Sequence, residues 1–378
     1  MRILNVNMTI DPIMGGGGAE RTFQMCKSLI RTGTDCVLMT TSIGLSQERL
    51  NALEGVRVVV LPILLERFYI PKFSIKKLEK IIESVDIIHL MSHWTLINAL
   101  IYKLANKLGK PYIVCPAGSL PIYGRSKYLK KTYNWSVGSE IINNAKGWIA
   151  IAKNEIPQFI SYGINADKVT VIPNGIDPEN FREFDVVDFR KKYGLDESPF
   201  IMFMGRLNHI KGPDLLLEAF NAIKDEISKY HLVFFGPDNG MQDDLKKMVQ
   251  RFKLEKRVHF SGYIEGKDKS SAYHAAALVV IPSRQEAMSI VVLEAGITRT
   301  PVLLTDQCGF DIVSTINGGM VTPATVDGLK EGLINILRDP IRLKSMGENL
   351  YKYTLENFGW DMIINKHIDL YENILRKK

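Results

Sequence analysis

Short apolar segments alternate with amphipathic helical stretches along the whole chain, and this alternation constrains the fold more than any other feature. Apolar segments of this kind, flanked by turn residues, are typical of buried strands, and the amphipathic stretches between them are typical of crossover helices. Repeated βαβ units build parallel sheets with helices on both faces. The sequence therefore predicts an α/β protein with doubly wound, Rossmann-like parallel sheets.

A turn-rich segment at residues 173–178 interrupts the alternation, which restarts with a strand at residues 200–204. A chain of 378 residues is long enough for two domains, predicted at residues 1–178 and 179–360. We expect the helix at residues 361–378 to pack back on the first domain. Because open parallel sheets bind ligands beyond the carboxyl ends of their strands, two domains that face each other across a cleft would hold a substrate between them.

The basic charge of the chain lies in its first half. Residues 1–178 carry 21 Lys and Arg and 13 Asp and Glu, whereas residues 179–378 carry 27 and 28. This asymmetry favours an anionic partner or surface for the first domain, although no motif for nucleic-acid binding accompanies it. The first of two basic clusters is best interpreted as a solvated helix face. The second is rich in aromatic residues, and an ordinary domain surface and a docking site for lipid head groups or an anionic acceptor are equally expected there. The clusters are Lys72, Lys76, Lys77 and Lys80, and Arg125, Lys127, Lys130 and Lys131 with Tyr123, Tyr128, Tyr133 and Trp135.

Several features indicate a cytoplasmic protein. The four cysteines are widely spaced and lack nearby histidines, so neither disulfides nor a zinc site is expected. The longest apolar stretch, residues 58–65, is too short to span a membrane, and the first residues lack the pattern of a signal peptide. We expect any membrane contact to be peripheral, on the inner face.

Four consecutive glycines at residues 15–18 follow the first predicted strand and precede a helix predicted at residues 19–32. Glycines there let a phosphate approach the backbone and the amides of a helix start. The run lacks the spacing of a dinucleotide fingerprint and the Gly-Lys-Ser/Thr of a nucleoside-triphosphate loop, which disfavours a dehydrogenase. A flexible turn without a ligand is the alternative.

Two cations follow the strand at residues 200–204. Arg206 and Lys211 lie where the carboxyl end of a central strand is predicted, and two cations that converge there would bind a diphosphate. Two carboxylates, Glu286 and Glu294, flank a second predicted helix start, at residues 288–290. A carboxylate in the apolar helix needs hydrogen-bond partners, and sugar or ribose hydroxyls would serve. A solvated glutamate is the alternative for either residue alone.

The backbone amides of that helix start are predicted to point outward and bind an anion; they belong to Met288, Ser289 and Ile290. In the first domain, His89 and His93 lie at the end of another predicted strand, and a cleft-facing histidine and a structural one are equally expected.

Taken together, these segments resemble glycosyltransferase family 4, the retaining nucleotide-sugar transferases of GT-B fold. The similarity rests on Glu286 and Glu294 with seven residues between them, Gly205-Arg206 with Lys211-Gly212, the segment at 172–177 and the glycine run. The chain departs from the family pattern at residues 116–120, Pro-Ala-Gly-Ser-Leu, where many members carry a histidine. His93 or His89 is the expected substitute.

The resemblance implies a role for each matching position. Arg206 and Lys211 would bind the donor diphosphate, Glu294 the ribose hydroxyls and Glu286 the transferred sugar. The amides of residues 288–290 would assist at the phosphates and sugar. Gly16 and Gly17 would close over the donor, and the backbone at Tyr263 and Ile264 would receive the base.

The expected activity is retaining, metal-independent transfer from a UDP- or GDP-sugar to a hydroxyl of a glycan or lipid-linked acceptor, as in surface polysaccharide synthesis. No Asp-x-Asp motif occurs in the chain, and no cofactor beyond the donor is expected. A sugar-nucleotide epimerase of related fold and a non-catalytic nucleotide-sugar-binding protein are the alternatives.

Overall fold

The computed structural model describes residues 1–65, 69–122 and 126–377. The chain divides into two compact units, and the first combines Met1–Gly175 with the C-terminal segment from Trp360. The second unit is Ile176–Gly359. The boundaries therefore fall after residues 175 and 359, close to those predicted from the sequence after residues 178 and 360. Tyr123 and Arg125 of the second basic cluster lie outside the described residues.

The first unit contains a seven-stranded sheet in the order β3-β2-β1-β6-β7-β8-β9, in which all neighbouring strands are parallel. Its strands are β1 Arg2–Val6, β2 Asp35–Thr41, β3 Arg57–Leu61, β6 Ile87–Met91, β7 Tyr112–Cys115, β8 Gly147–Ala150 and β9 Val169–Val171, while β4 Ile63–Leu65 and β5 Ile70–Pro71 form an antiparallel hairpin. The helices are α1 Pro12–Arg31, α2 Gln47–Asn51, α3 Ile75–Glu83, α4 Leu96–Lys107, α5 Lys127–Tyr133, α6 Ser139–Asn143, α7 Ile156–Ile160 and α16 Trp360–Arg376. A π-helical turn, Asn134–Gly138, joins α5 to α6.

The central strands of this sheet are buried on both faces. In β1, Ile3, Leu4 and Val6 are fully buried, which explains why this strand appears in the sequence as an apolar run rather than an alternating one. The last helix, α16, packs against α1 within the same unit. Its Tyr371 is fully buried beside β6.

The second unit contains a six-stranded parallel sheet in the order β12-β11-β10-β13-β14-β15. Its strands are β10 Phe200–Met204, β11 His231–Phe235, β12 Val258–Gly262, β13 Leu278–Ile281, β14 Val302–Thr305 and β15 Gly319–Thr322. Its helices are α8 Val186–Lys192, α9 Pro213–Ala222, α10 Gln242–Phe252, α11 Gly266–Ala275, α12 Ile290–Ile297, α13 Ile312–Thr315, α14 Val326–Leu337 and α15 Pro340–Phe358. The strand order reverses between β10 and β13, so the loops that follow these two strands meet at the position where such sheets bind ligands.

The glycine run lies differently from its prediction. Helix α1 begins at Pro12, not at residue 19, because the Asp11 carboxylate caps it by accepting a 2.8 Å hydrogen bond from the amide of Met14. The glycines therefore fall within the span of α1, and Gly16, with a φ of 55°, breaks the helix there. The predicted loop is a kink inside a helix.

Candidate functional site

In the second unit, the loop after β10 and the loop after β13 are in direct contact. Gly212 begins α9 with a φ of 67°, and a Cβ atom at this position would lie 2.1 Å from the carbonyl oxygen of Pro282. Glycine alone fits such an approach, since any side chain would both overlap the carbonyl and strain the backbone. The close approach brings the predicted cations of one loop beside the first predicted carboxylate of the other.

Lys211 and Glu286 form an ion pair at the junction of the two loops. Lys211 Nζ lies 2.6 Å from Glu286 Oε1, and the Ser283 hydroxyl donates to Glu286 Oε2 at 3.0 Å. The two side chains are 24% and 14% exposed, so the pair is largely shielded but still reachable by a ligand. The structure thus brings together two residues that the sequence placed 75 positions apart.

Arg206 stands beside this pair with unused donors. Its side chain is half-buried, and within the described part of the chain its guanidinium makes no hydrogen bond and no ion pair. Burial lowers the pKa of Arg206, and the nearby charge of Glu286 opposes that shift. A guanidinium remains cationic in proteins, so Arg206 presents a partly desolvated positive charge with its donor fork unoccupied.

Arg284, which sequence reasoning missed, ties the two loops together. Its guanidinium forms a bidentate pair with Asp214 in the first turn of α9, with distances of 2.8 and 2.7 Å. It also donates to the carbonyl oxygen of His209 at 2.7 Å, and its backbone amide donates to the carbonyl oxygen of Ile210 at 2.7 Å. These bonds hold the backbone immediately before Lys211 in place.

Glu294 is buried in α12 and has two partners of its own chain. Lys269 Nζ pairs with Oε1, and the Tyr273 hydroxyl donates to Oε2 at 2.5 Å. Burial and the charge of Glu294 raise the pKa of Tyr273, which keeps this hydroxyl protonated as a donor. The sequence indicated that Glu294 needed hydrogen-bond partners, but it did not identify this lysine and tyrosine of α11.

The start of α12 differs in part from its prediction. The amide of Ser289 does not point outward, because it donates to the carbonyl oxygen of Cys308 at 3.3 Å. The hydroxyl of Ser289, at the N-cap position, is buried and has no hydrogen-bond partner among the described residues. Met288 is buried and Ile290 is half-buried at the first helical position. The helix start therefore has an unsatisfied buried hydroxyl, and the amide of Ser289 is not available to a ligand.

Two further predicted positions lie at the edge of this sheet. Tyr263 and Ile264 directly follow β12; Tyr263 is 36% exposed and donates from its hydroxyl to Glu265 at 3.1 Å, whereas Ile264 is buried. Their assignment to the base of a nucleotide stays a prediction.

Neither of the two predicted histidines, His89 and His93, is placed to meet a substrate. His93 is 1% exposed, with Trp94, Tyr133 and Tyr162 around its ring, and its Nε2 lies 3.2 Å from Asn134 Oδ1. Burial lowers its pKa to about 4, so the ring is neutral near pH 7. We therefore withdraw the interpretation of His93 as a catalytic group.

His89 is fully buried in β6, and its Nδ1 lies 2.8 Å from the hydroxyl of Tyr371 in α16. Burial, aided by the charge of Arg21, lowers its pKa to about 3. His89 connects a strand to the final helix and does not replace the family histidine.

Glu155 shapes the loop that departs from the family pattern. Its buried carboxylate accepts hydrogen bonds from the amides of Gly118 and Ile151, while burial raises its pKa. Ala117 and Gly118 both have positive φ, 49° and 84°.

In helix α1, Gly16 is half-buried and Gly17 is exposed. Across the described residues, no three His, Cys, Asp or Glu side chains form a group that could hold a metal ion.

Comparison with solved structures defines the class. The fold is that of GT-B glycosyltransferases: the structure of Anabaena Alr3699/HepE in complex with UDP and glucose matches with a TM-score of 0.80 at 19% identity, over 98% of each chain. The structure of WaaG, described as a glycosyltransferase involved in lipopolysaccharide biosynthesis, matches with a TM-score of 0.72 at 18% identity, over 98% of this chain and 99% of that one. None of the helices in the described residues has the length and hydropathy of a membrane span.

Sequence comparison then identifies the family. The model for Glycosyltransferase Family 4 matches residues 15–180, and the model for Glycosyl transferases group 1 matches residues 185–353. Together the two models match most of the chain, which therefore belongs to the glycosyltransferases that they describe. It is 32% identical over 216 residues to an uncharacterized glycosyltransferase of Methanocaldococcus jannaschii, a match that covers 54% of each protein. It is 29% identical over 274 residues to the D-inositol 3-phosphate glycosyltransferase of Frankia alni, over 68% of this chain and 63% of that protein. The chain thus spans between about half and two thirds of the length of these curated relatives.

Proposed function

We propose that this protein transfers a sugar from a UDP- or GDP-sugar to a hydroxyl group of an acceptor, with retention of configuration and without a metal ion. The observation that carries the proposal is the guanidinium of Arg206, a half-buried cation whose donors no described residue uses, beside the Lys211–Glu286 pair. A desolvated cation with free donors favours an anionic ligand, and a diphosphate is the anion that its family binds.

The two cations act together on the leaving group in this proposal. When the bond between the anomeric carbon and the diphosphate oxygen breaks, the electron pair moves to that oxygen and negative charge develops on the leaving group. Arg206 and Lys211 stabilise this charge, and they need little reorganisation because the loops that carry them are already fixed. Glu286 orients Lys211 and reaches the transferred sugar. The acceptor hydroxyl attacks the anomeric carbon from the face that the nucleotide leaves, and its proton passes to the departing diphosphate oxygen.

The remaining donor contacts follow the resemblance. Glu294 accepts from the ribose hydroxyls through the lone pairs that Lys269 and Tyr273 leave free. The unpartnered hydroxyl of Ser289 and the amide of Ile290 supply donors to the phosphates or the sugar. The contacts of Gly16 and Gly17 rest on the resemblance alone, and the proposal requires no cofactor besides the donor.

For the acceptor we propose a glycan or lipid-linked saccharide in surface polysaccharide synthesis, met by a cytoplasmic enzyme. The basic excess of residues 1–178 supports an acceptor that carries, or is attached to, negative charge. Relatives with other named products, including a mannosylfructose-phosphate synthase of Agrobacterium fabrum, show how varied acceptors are among similar chains.

A panel of labelled UDP- and GDP-sugars tests the proposal. Transfer, or slow hydrolysis when no acceptor is present, supports it; formation of an epimer favours an epimerase, and binding without turnover favours a non-catalytic protein. Arg206→Ala should reduce turnover by about two to three orders of magnitude while the melting temperature is kept. The matched control is Arg251→Ala, an exposed arginine of the same unit. Full activity of Arg206→Ala would refute the assignment.

A further inference from the structure

Two exposed apolar patches of the first unit are interleaved with lysines. The first, here called the α3 patch, consists of Leu64, Phe73 and Ile75, which are 70%, 43% and 53% exposed, with the exposed Lys72 and Lys76 between and beside them. Single exposed apolar side chains are ordinary on a protein surface, but a group of large ones beside cations is not.

The second group, the α5 patch, is more exposed still. Tyr128, Leu129 and Trp135 are 86%, 62% and 88% exposed, and Lys127 and Lys131 lie on the same helical segment. Tyr128 lies in α5 and Trp135 in the π-helical turn that follows it, and both side chains are almost entirely in solvent. No acidic residue occurs between Lys127 and Trp135, so every charge of this segment is positive.

Both patches lie toward the same edge of the first unit. Helices α3 and α4 run in the same direction, since their C-terminal parts meet: Lys107 Nζ lies 2.7 Å from Glu79 Oε1, and Lys110 donates to the carbonyl oxygen of Glu83 at 2.8 Å. The N-termini of α3 and α4 consequently lie at one edge, and the α3 patch is at the start of α3.

The α5 patch is attached to the start of α4. The Tyr133 hydroxyl donates to the carbonyl oxygen of Thr95, the N-cap residue of α4, at 3.0 Å. Lys130 Nζ lies 5.6 Å from the centroid of the Trp94 ring. Leu96, the first residue of α4, directly follows these attachments in the chain and is 43% exposed. The two patches thus lie at the starts of two helices that run in the same direction.

We propose that these patches are the docking surface by which the protein binds a bilayer that contains anionic lipid. Tryptophan and tyrosine have an apolar body and a polar tip, which suits the boundary between acyl chains and head groups. Lysines beside them are attracted to acidic head groups, and the electrostatic and apolar contributions reinforce each other. A polar glycan would match the aromatic faces but not the exposed leucines and isoleucine, and an acidic protein partner would match the charge alone.

Co-sedimentation with vesicles tests this surface. The probe is phosphatidylcholine alone or mixed with an equal part of phosphatidylglycerol, at low and high salt. We expect binding to the mixed vesicles only, weakened by salt. Replacing Lys72 and Lys76 with Gln should lower the partition coefficient by roughly 25-fold, since each lysine contributes about fivefold. The double variant Tyr128→Ser/Trp135→Ser should lower it by at least about tenfold.

The matched control is the double variant Val187→Ser/Ile341→Ser in the second unit, where the two side chains are 78% and 83% exposed. It should bind vesicles like the unchanged protein. Equal binding to neutral vesicles, or equal losses in the control and the patch variants, would overturn the proposal. So would patch variants that bind the mixed vesicles normally, which would leave a protein or glycan partner for this surface.

The outcome is independent of the donor site. The patch variants should keep the thermal stabilisation by UDP or GDP and the turnover of a water-soluble acceptor. A variant that lost the melting transition itself would be replaced by Leu129→Ser, a single change at a side chain that is mostly in solvent. If donor binding fails in the unchanged protein while vesicle binding holds, the proposed function fails and the docking surface stands.

Discussion

The bidentate pair between Arg284 and Asp214 should couple the two loops of the second unit by about 2 kcal/mol. Two charge-assisted hydrogen bonds, at 2.8 and 2.7 Å, contribute roughly 1.5 kcal/mol each when they are shielded from water. Because each side chain is 20% exposed, solvent screening reduces their sum from about 3 to about 2 kcal/mol.

A double-mutant cycle measures this coupling directly. The free energy of unfolding in urea is determined for the unchanged protein, Arg284→Ala, Asp214→Ala and the double variant, and the interaction term removes effects that each change has alone. We also expect Arg284→Ala to raise the KM for the donor, since the bond from its guanidinium to the carbonyl oxygen of His209 helps to hold Lys211 in position. An interaction term below about 0.5 kcal/mol would refute the reasoning, because a pair of that strength is no better than an ordinary surface ion pair.

The remaining predictions concern buried charge, pH and backbone strain. Glu294→Gln should lower the free energy of unfolding by about 3 kcal/mol, since it leaves a lysine partner with no counter-charge; a change under about 1 kcal/mol in urea would contradict this. His89 and His93 have pKa values lowered to about 3 and about 4, from 6.5, so the unfolded chain binds protons that the folded chain excludes. Stability should be full above pH 6.5 and fall as the pH drops toward 4, by up to about 1.4 kcal/mol per pH unit and histidine, and a flat profile in urea titrations would contradict it. Gly212→Ala should destabilise the protein by at least about 1 kcal/mol and weaken donor binding, because its Cβ would meet Pro282; unchanged affinity in a thermal-shift titration would count against the contact between the loops.

The parts of the fold and site that the sequence predicted are those that local patterns determine. The alternation of apolar and amphipathic segments is sufficient to predict two parallel sheets. Because Arg206 and Lys211 follow a predicted strand, the sequence also places them at the carboxyl edge of a sheet. Strand order decides which loops become neighbours, and the resemblance to a known family implied that both loops contact one donor. For this reason the pairing of Lys211 with Glu286 was expected as a shared site, although not as a direct bond.

The partners of buried charges could not be predicted, because they come from elements distant in the chain. Lys269 and Tyr273 reach Glu294 only once α11 packs on α12, and Asp214 meets Arg284 across 70 residues. The burial of His93 could not be predicted for a similar reason.

Two of the aromatic residues around His93, Tyr133 and Tyr162, belong to segments for which the sequence analysis predicted no helix. Tyr133 ends α5 and Tyr162 follows α7, and without these elements a histidine at a strand end looks accessible. The early start of α1 did have a local signal: Asp11 before Pro12 is a typical N-cap followed by a proline at the first helical position.

A comparison of UDP with UMP, or of GDP with GMP if the guanine nucleotide binds, tests the central claim most directly. The affinity of each nucleotide is measured by calorimetry for the unchanged protein and for Arg206→Ala. If Arg206 binds the second phosphate, the unchanged protein should prefer the diphosphate by at least about tenfold, and the variant should lose most of that preference. The same ratio in both proteins would contradict the account, because the unoccupied guanidinium would then have no part in holding the diphosphate.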